Sequence, residues 1–195
     1  MRRAAVAIVV LGSLAVPLFA LADRRLLHDA NDARGRLDVR RVEFDGHKKP
    51  RWKVVTWSGW SARTILDRGY VLVRLDTFGS DRFDYYALLR SLGGHMTAGL
   101  FRDRRRHPDF RVSSLKVWRP GRRSVKVRIP LNKLRFGASR RYYRWAVETI
   151  FSGRHCRNTC FDNAPGHGAV KEPLPGVTPS PSPTPTPTPT STATP

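Results

Sequence analysis

The longest run of regular hydrophobic–polar alternation lies between Tyr70 and Phe101 and reads as three strands in succession. Residues 70–76 are apolar and β-branched and stop at Asp76, as a strand does at its turn. The turn formers Gly79, Ser80 and Asp81 follow. Residues 83–92 then lead into Gly93-Gly94, a pair that accepts positive φ at both centres of a two-residue hairpin, and 95–101 return. Three consecutive antiparallel strands in the middle of one sheet are expected.

The same pattern extends to both sides. Leu37, Val39, Val42 and Phe44 alternate but slip by one residue at Arg40-Arg41, which predicts a β-bulge. Residues 52–57 put Trp52, Val54 and Thr56 on one face and Val55 and Trp57 on the other. Residues 61–69 predict a short helix, capped by Ser61 and ended by Gly69 in the left-handed conformation. Residues 110–118 and 124–129 predict a hairpin with a type II turn at Arg119-Pro120-Gly121-Arg122. Val125, Val127 and Ile129 face inward there, and Lys126 and Arg128 outward. Residues 130–134 predict a single helical turn, and Tyr143, Trp145, Val147, Thr149 and Phe151 share one face of a last long strand. About eight short strands with no β-α-β rhythm predict an all-β, antiparallel β-sandwich of jelly-roll type with one short helix.

The ends change the picture. Met1-Arg2-Arg3, an apolar run over 4–21 and Ala20-Leu21-Ala22 predict a secretory signal peptide over 1–22. Residues 23–34 read as an N-terminal loop, 35–165 as the sandwich domain and 166–195 as a disordered Pro/Thr-rich tail, a candidate O-glycosylated stalk. With the leader removed no transmembrane segment is expected, and the location is extracellular or at the cell envelope. The 36 Lys and Arg against 15 Asp and Glu give a formal charge of +21. Loss of Arg2 and Arg3 lowers it to about +19, a charge that attracts polyanions without selecting one.

Several local motifs carry a resemblance. They are Gly35-Arg-Leu-Asp-Val39, Leu75-Asp-Thr77 with its Gly-Ser-Asp loop, Val127-Arg-Ile-Pro-Leu-Asn-Lys-Leu134, Tyr143-Arg-Trp145, and Cys156-Arg-Asn-Thr-Cys160-Phe-Asp-Asn-Ala-Pro165. Over residues 29–165 the chain resembles exported actinobacterial β-sandwich proteins of unknown function. More distantly it is similar to family 9 carbohydrate-binding modules and DOMON-like domains. The resemblance implies a sandwich and, through the binding modules, a glycan as ligand.

Candidate chemistry is sparse. Cys156 and Cys160 are the only cysteines, and in an exported chain so close a pair predicts a disulfide; zinc on both with His155 and His167 is the alternative. Asp76, Asp81 and Asp84 cluster in one loop, so a structural Ca²⁺ is the one cofactor suggested. Asp29, Asn31, Asp32 and Asp162 join that group if the two ends of the domain meet. Trp57, Trp60 and Tyr85 are candidates for stacking on sugar, and Arg104, Arg105 and Arg106 for holding an anionic polymer. No Gly-x-Ser-x-Gly, His-Glu-x-x-His or phosphate loop occurs, and no carboxylate pair is evident, so an enzyme is not expected. The reading is a non-enzymatic exported module that binds a cell-envelope polysaccharide or other polyanion, with no specific nucleic-acid partner. The alternatives are a structural or interaction domain on a Pro/Thr stalk with no small ligand and, behind it, a hydrolase.

Overall fold

The computed structural model describes residues 24–46, 49–61, 68–80, 82–153 and 155–175. The expected signal peptide, the interior of the expected helix (62–67), Asp81 and the chain from 176 onward lie outside these. Among the described residues no helix is long and apolar enough to cross a membrane.

Two antiparallel sheets pack face to face. One has the order β1 (Arg24–His28), β2 (Val39–Asp45), β3 (Arg51–Thr56), β9 (Ser124–Arg128), β8 (Lys116–Gly121). The other runs β11 (Cys156–Ala164), β10 (Tyr142–Gly153), β4 (Gly69–Asp76), β5 (Tyr85–Leu92), β6 (His95–Arg102), β7 (Phe110–Ser114), with β12 (Val170–Pro173) also on β10. The chain changes sheet between β3 and β4, between β7 and β8, and between β9 and β10. A single 3₁₀ turn, Leu131–Lys133, makes the last crossing.

The alternating residues fill the space between the sheets. Val125, Val127 and Ile129 are buried on β9, and Tyr143, Trp145, Val147, Thr149 and Phe151 on β10. Phe44, Trp52 and Trp145 form the centre, with ring centroids 5.0, 5.3 and 6.2 Å apart. The slip at Arg40-Arg41 is a register shift in the β2–β3 ladder between Val39 and Arg41, which keeps Val39 and Val42 both inward. Gly93 and Gly94 take φ of 58° and 81° and close the β5–β6 hairpin.

Five expectations change. Residues 23–34 hold strand β1, whose Leu27 lies opposite the buried Val42 and packs on the core. The ordered domain continues past Pro165: Val170–Pro173 pairs with Tyr142–Trp145, and the buried Glu172 meets Arg25 of β1 at 2.7 Å across the sandwich edge. Gly69 opens β4 instead of ending a helix. A Cβ there would meet the Ile150 carbonyl oxygen at 2.6 Å, so close packing, not a left-handed φ, requires glycine. The run 110–118 is two strands in different sheets, parted at Leu115, whose N–H makes a 3.0 Å bond to the Ala98 carbonyl. Val112 and Val117 sit five apart, a spacing that puts them on opposite faces of one strand; the change of sheet lets both pack on the core. Lastly, Pro120 and Gly121 belong to β8, and the turn falls at Arg122-Arg123, with Gly121 opposite Ser124 across a bulge.

Candidate functional site

Trp60 and Tyr85 are core rings, 4% and 2% exposed, and make no surface platform. The Tyr85 hydroxyl accepts the Arg135 N–H at 3.2 Å. Arg119 stacks 4.2 Å from the Trp60 ring and donates to the Trp60 carbonyl, so this arginine is spent inside the fold. Trp57 is half-buried: its Nε1–H donates to the Ala30 carbonyl at 3.1 Å, and the Arg40 guanidinium covers the ring. Aromatic rings do reach the outer face of the larger sheet, but different ones. Tyr70 is 41% exposed, and Tyr86 stacks on Phe101 at 5.3 Å. Charge there is compensated, with Arg74 on Glu148 at 2.9 Å and the Tyr86 hydroxyl donating to Asp109 at 2.7 Å.

The loop carboxylates Asp76 and Asp84 are occupied by the protein itself. Asp76 is buried; its Oδ2 takes Arg144 Nε at 2.7 Å and its Oδ1 the Gly79 N–H at 2.5 Å. Asp84 Oδ2 accepts the Thr77 and Phe78 N–H groups at 2.9 and 3.1 Å. These are bonds that hold a loop in shape. The sulfurs of Cys156 and Cys160 are 2.17 Å apart, bonded to each other, which leaves no thiolate for zinc.

The ends of the domain do meet, and a different acidic group forms there. Asp29 follows β1, Asp32 lies in the next loop, Asp38 precedes β2, and Asp162 comes from β11. Asp162 Oδ2 accepts the Val39 N–H at 2.5 Å and Oδ1 the Asn163 N–H at 2.7 Å. Carboxylate oxygens of Asp29, Asp32 and Asp162 lie within 4.8 Å of one another. Burial, and then the charges of Asp162, Asp32 and Asp29, push Asp38 up to about 7. Burial, followed by Asp162 and Asp32, pushes Asp29 up to about 6. Both groups therefore hold a proton in the folded chain at pH values where the unfolded chain, near 3.8, has lost it. Their contribution is favourable at low pH and is lost as pH rises through about 6 and 7. In chelator, the urea midpoint is expected to fall between pH 5 and pH 7.5, a window in which ordinary carboxylates are already ionised. Asp38→Asn should flatten that fall, and an equal slope in both proteins would contradict the assignment.

A concentration of basic side chains, with Glu43 and Asp45 among them, lies on the outer face of the five-stranded sheet. Register places Arg24, Asp45, Arg51, Arg128 and Lys116 in one row across β1, β2, β3, β9 and β8. The adjacent row is Leu26, Glu43, Lys53, Lys126 and Trp118. Arg51 thus stands opposite Arg128, Arg128 opposite Lys116, and Lys53 opposite Lys126. The chain matches no family model, no curated protein and no solved structure. The face must therefore be read from its own chemistry. Like charges directly opposite on a ladder repel. Glu43 relieves only Arg41 and Lys53, each at 3.0 Å. Arg128 Nε is buried without a hydrogen-bond partner, and Lys126 and Arg128 flank the Trp118 ring at 5.6 and 6.0 Å. A depression of about 450 Å³ opens on this face, lined among others by Arg24, Arg41, Arg51, Lys53 and Lys126.

The loop arginines are a smaller feature. Arg104 lies 5.0 Å from the Phe110 ring and lines a groove with Arg102, Lys133 and Arg135, while Arg105 and Arg106 are exposed. Alternation alone pointed to Lys126 and Arg128 as outward, but the rows appear only once β3 is known to pair with β9.

Proposed function

We propose that this domain is a non-enzymatic module that acts outside the cell and binds an anionic polysaccharide along the outer face of its five-stranded sheet. The observation that carries the reading is the run of like-charge cross-strand pairs, Arg51–Arg128–Lys116 and Lys53–Lys126. Such pairs weaken a sheet and are relieved by an anion laid across them. A polymer suits the site better than a small ligand, because the charge follows rows across five strands and the depression is shallow. Trp118 adds a ring on which a sugar stacks between charged contacts. The secretory leader expected from the sequence and the resemblance to carbohydrate-binding modules favour a polysaccharide of the envelope over other polyanions.

The test is a titration with heparin, as a soluble anionic polysaccharide, at several salt concentrations. Arg51→Ser/Lys126→Ser/Arg128→Ser is expected to lose at least about tenfold in affinity and to make the salt dependence shallower by about two to three released counter-ions. Arg104→Ser/Arg105→Ser/Arg106→Ser is expected to lose less. The first variant should fold at least as stably as the parent, since repulsion has been removed. Undiminished affinity in the first variant overturns the reading, and a larger loss in the second moves the site to the loop. Equal affinity for duplex DNA would make the module a general polyanion binder.

A further inference from the structure

The acidic group at the meeting of the chain's two ends has no role in polyanion binding, and its charge is of the wrong sign for it. Asp29, Asp32, Asp38 and Asp162 come from three separate segments. Among the described residues none of the four has a lysine, arginine or histidine within ion-pair distance, in a chain whose formal charge is +21. Arg40, two residues after Asp38, is turned onto the Trp57 ring at 5.1 Å. Asp38 points the same way. It is 3% exposed, its Oδ1 is buried with no hydrogen-bond partner, and the charges of Asp162, Asp32 and Asp29 act on it. Buried carboxylate oxygens are normally hydrogen-bonded, paired or bound to a metal.

We propose that Asp29, Asp32, Asp38 and Asp162 bind a calcium ion that fastens the segment between β1 and β2 to β11. The Asp29, Asp32 and Asp162 oxygens, held within 4.8 Å of one another, suit ligands on a single ion at about 2.3–2.6 Å, and the buried Asp38 carboxylate is the fourth donor proposed. The donor set is oxygen only, which suits a hard cation and not zinc. Ca²⁺ fits better than Mg²⁺: the ligands come from flexible loop and strand positions, and Ca²⁺ accepts six to eight oxygens without strict octahedral geometry. The ion offsets a concentration of negative charge that no basic side chain among the described residues pairs with. It also joins β11 of one sheet to the entry of β2 in the other, beyond the Val39 N–H bond that Asp162 already makes.

The experiment uses the full chain, stripped with chelator and dialysed. Ca²⁺ at about a hundred times its Kd should raise the melting temperature by about 5–10 °C, and Mg²⁺ at the same concentration by much less. Tb³⁺ should give sensitised emission from Trp57, whose indole N–H rests on Ala30 within the site, and Ca²⁺ should quench it by displacement. Asp32→Asn, at an exposed position, and Asp38→Asn should each abolish both signals, while Asp103→Asn should leave them intact. A melt unmoved by Ca²⁺ together with no Tb³⁺ emission overturns the proposal. So does a Ca²⁺ response lost in Asp84→Asn but kept in Asp32→Asn, because the ion would then sit in the β4–β5 loop. None of these outcomes depends on heparin binding, so this site and the polyanion face stand or fall separately.

Discussion

Trp145→Ala is expected to destabilise the domain by about 4 kcal/mol, close to the whole stability of an ordinary single domain. Trp145 is fully buried on β10, and its ring contacts Phe44 at 5.3 Å and Trp52 edge-on at 6.2 Å. Truncation removes one of the two indoles of the central trio, and the rigid strands on either side cannot close over the cavity. Aromatic pairs add about 0.5–1.5 kcal/mol each beyond area burial, so losing two contacts lies on top of the transfer cost. Trp145→Phe should cost less than half as much. It keeps a ring in the trio and removes an indole N–H that is buried without a hydrogen-bond partner. Phe161→Ala, at a position 57% exposed on β11, should be within about 0.5 kcal/mol of the parent. Urea midpoints with a common m value check all three. A loss of under about 2 kcal/mol for Trp145→Ala would show that the trio is not the structural centre.

Arg144→Met is expected to cost about 3 kcal/mol, far more than an arginine on a sheet surface normally contributes. The register sets Arg144 of β10 opposite Asp76 of β4, and the carboxylate is 3% exposed. Both Nε and Nη2 of Arg144 reach Asp76 Oδ2, at 2.7 and 2.5 Å. Without the guanidinium a buried carboxylate keeps only the Gly79 N–H on its other oxygen. Removing one member of such a pair leaves a charge out of water, which costs more than the pair itself contributes. Adding Asp76→Asn should therefore recover part of the loss. Chemical denaturation of the two single variants and the double variant measures the coupling. Strictly additive losses would mean that the two side chains do not act as a pair.

The lesson of the site is uneven. Asp76 and Asp84 share a loop in the sequence and look like ligands, yet each is taken by a backbone N–H, and Asp76 also by an arginine from a strand far along the chain. Asp29, Asp32 and Asp162 are far apart in the sequence and meet only if the ends of the domain do, and β1 and β11 carry them to one place, away from Asp76 and Asp84. The tryptophans misled in the same way. A Trp is as consistent with a sugar platform as with a core, and only packing separates Trp60, buried and closed over by Arg119, from Trp118, half-buried on the basic face with Lys126 and Arg128 over its ring. The spacing of Val112, Leu115 and Val117 did hold a legible signal for the change of sheet, because no single pleated strand puts all three inward.

The sequence by itself determined which side chains β2–β6, β9 and β10 bury, the bulge at Arg40-Arg41 and the double-glycine hairpin. All of these follow from the two-residue period of the pleat and from local φ preferences, which need no knowledge of distant partners. It also determined the cysteine pairing, since two cysteines four apart have little choice. The tertiary structure alone decided that β3 lies between β2 and β9, that β12 completes the larger sheet, and that β1 and β11 meet at the sandwich edge. Those choices set Arg51 against Arg128, Lys53 against Lys126, and Asp29, Asp32 and Asp162 around one point. Which strand becomes a neighbour depends on burying both sheets' apolar faces at once. That condition belongs to the whole chain, and no local window of residues contains it.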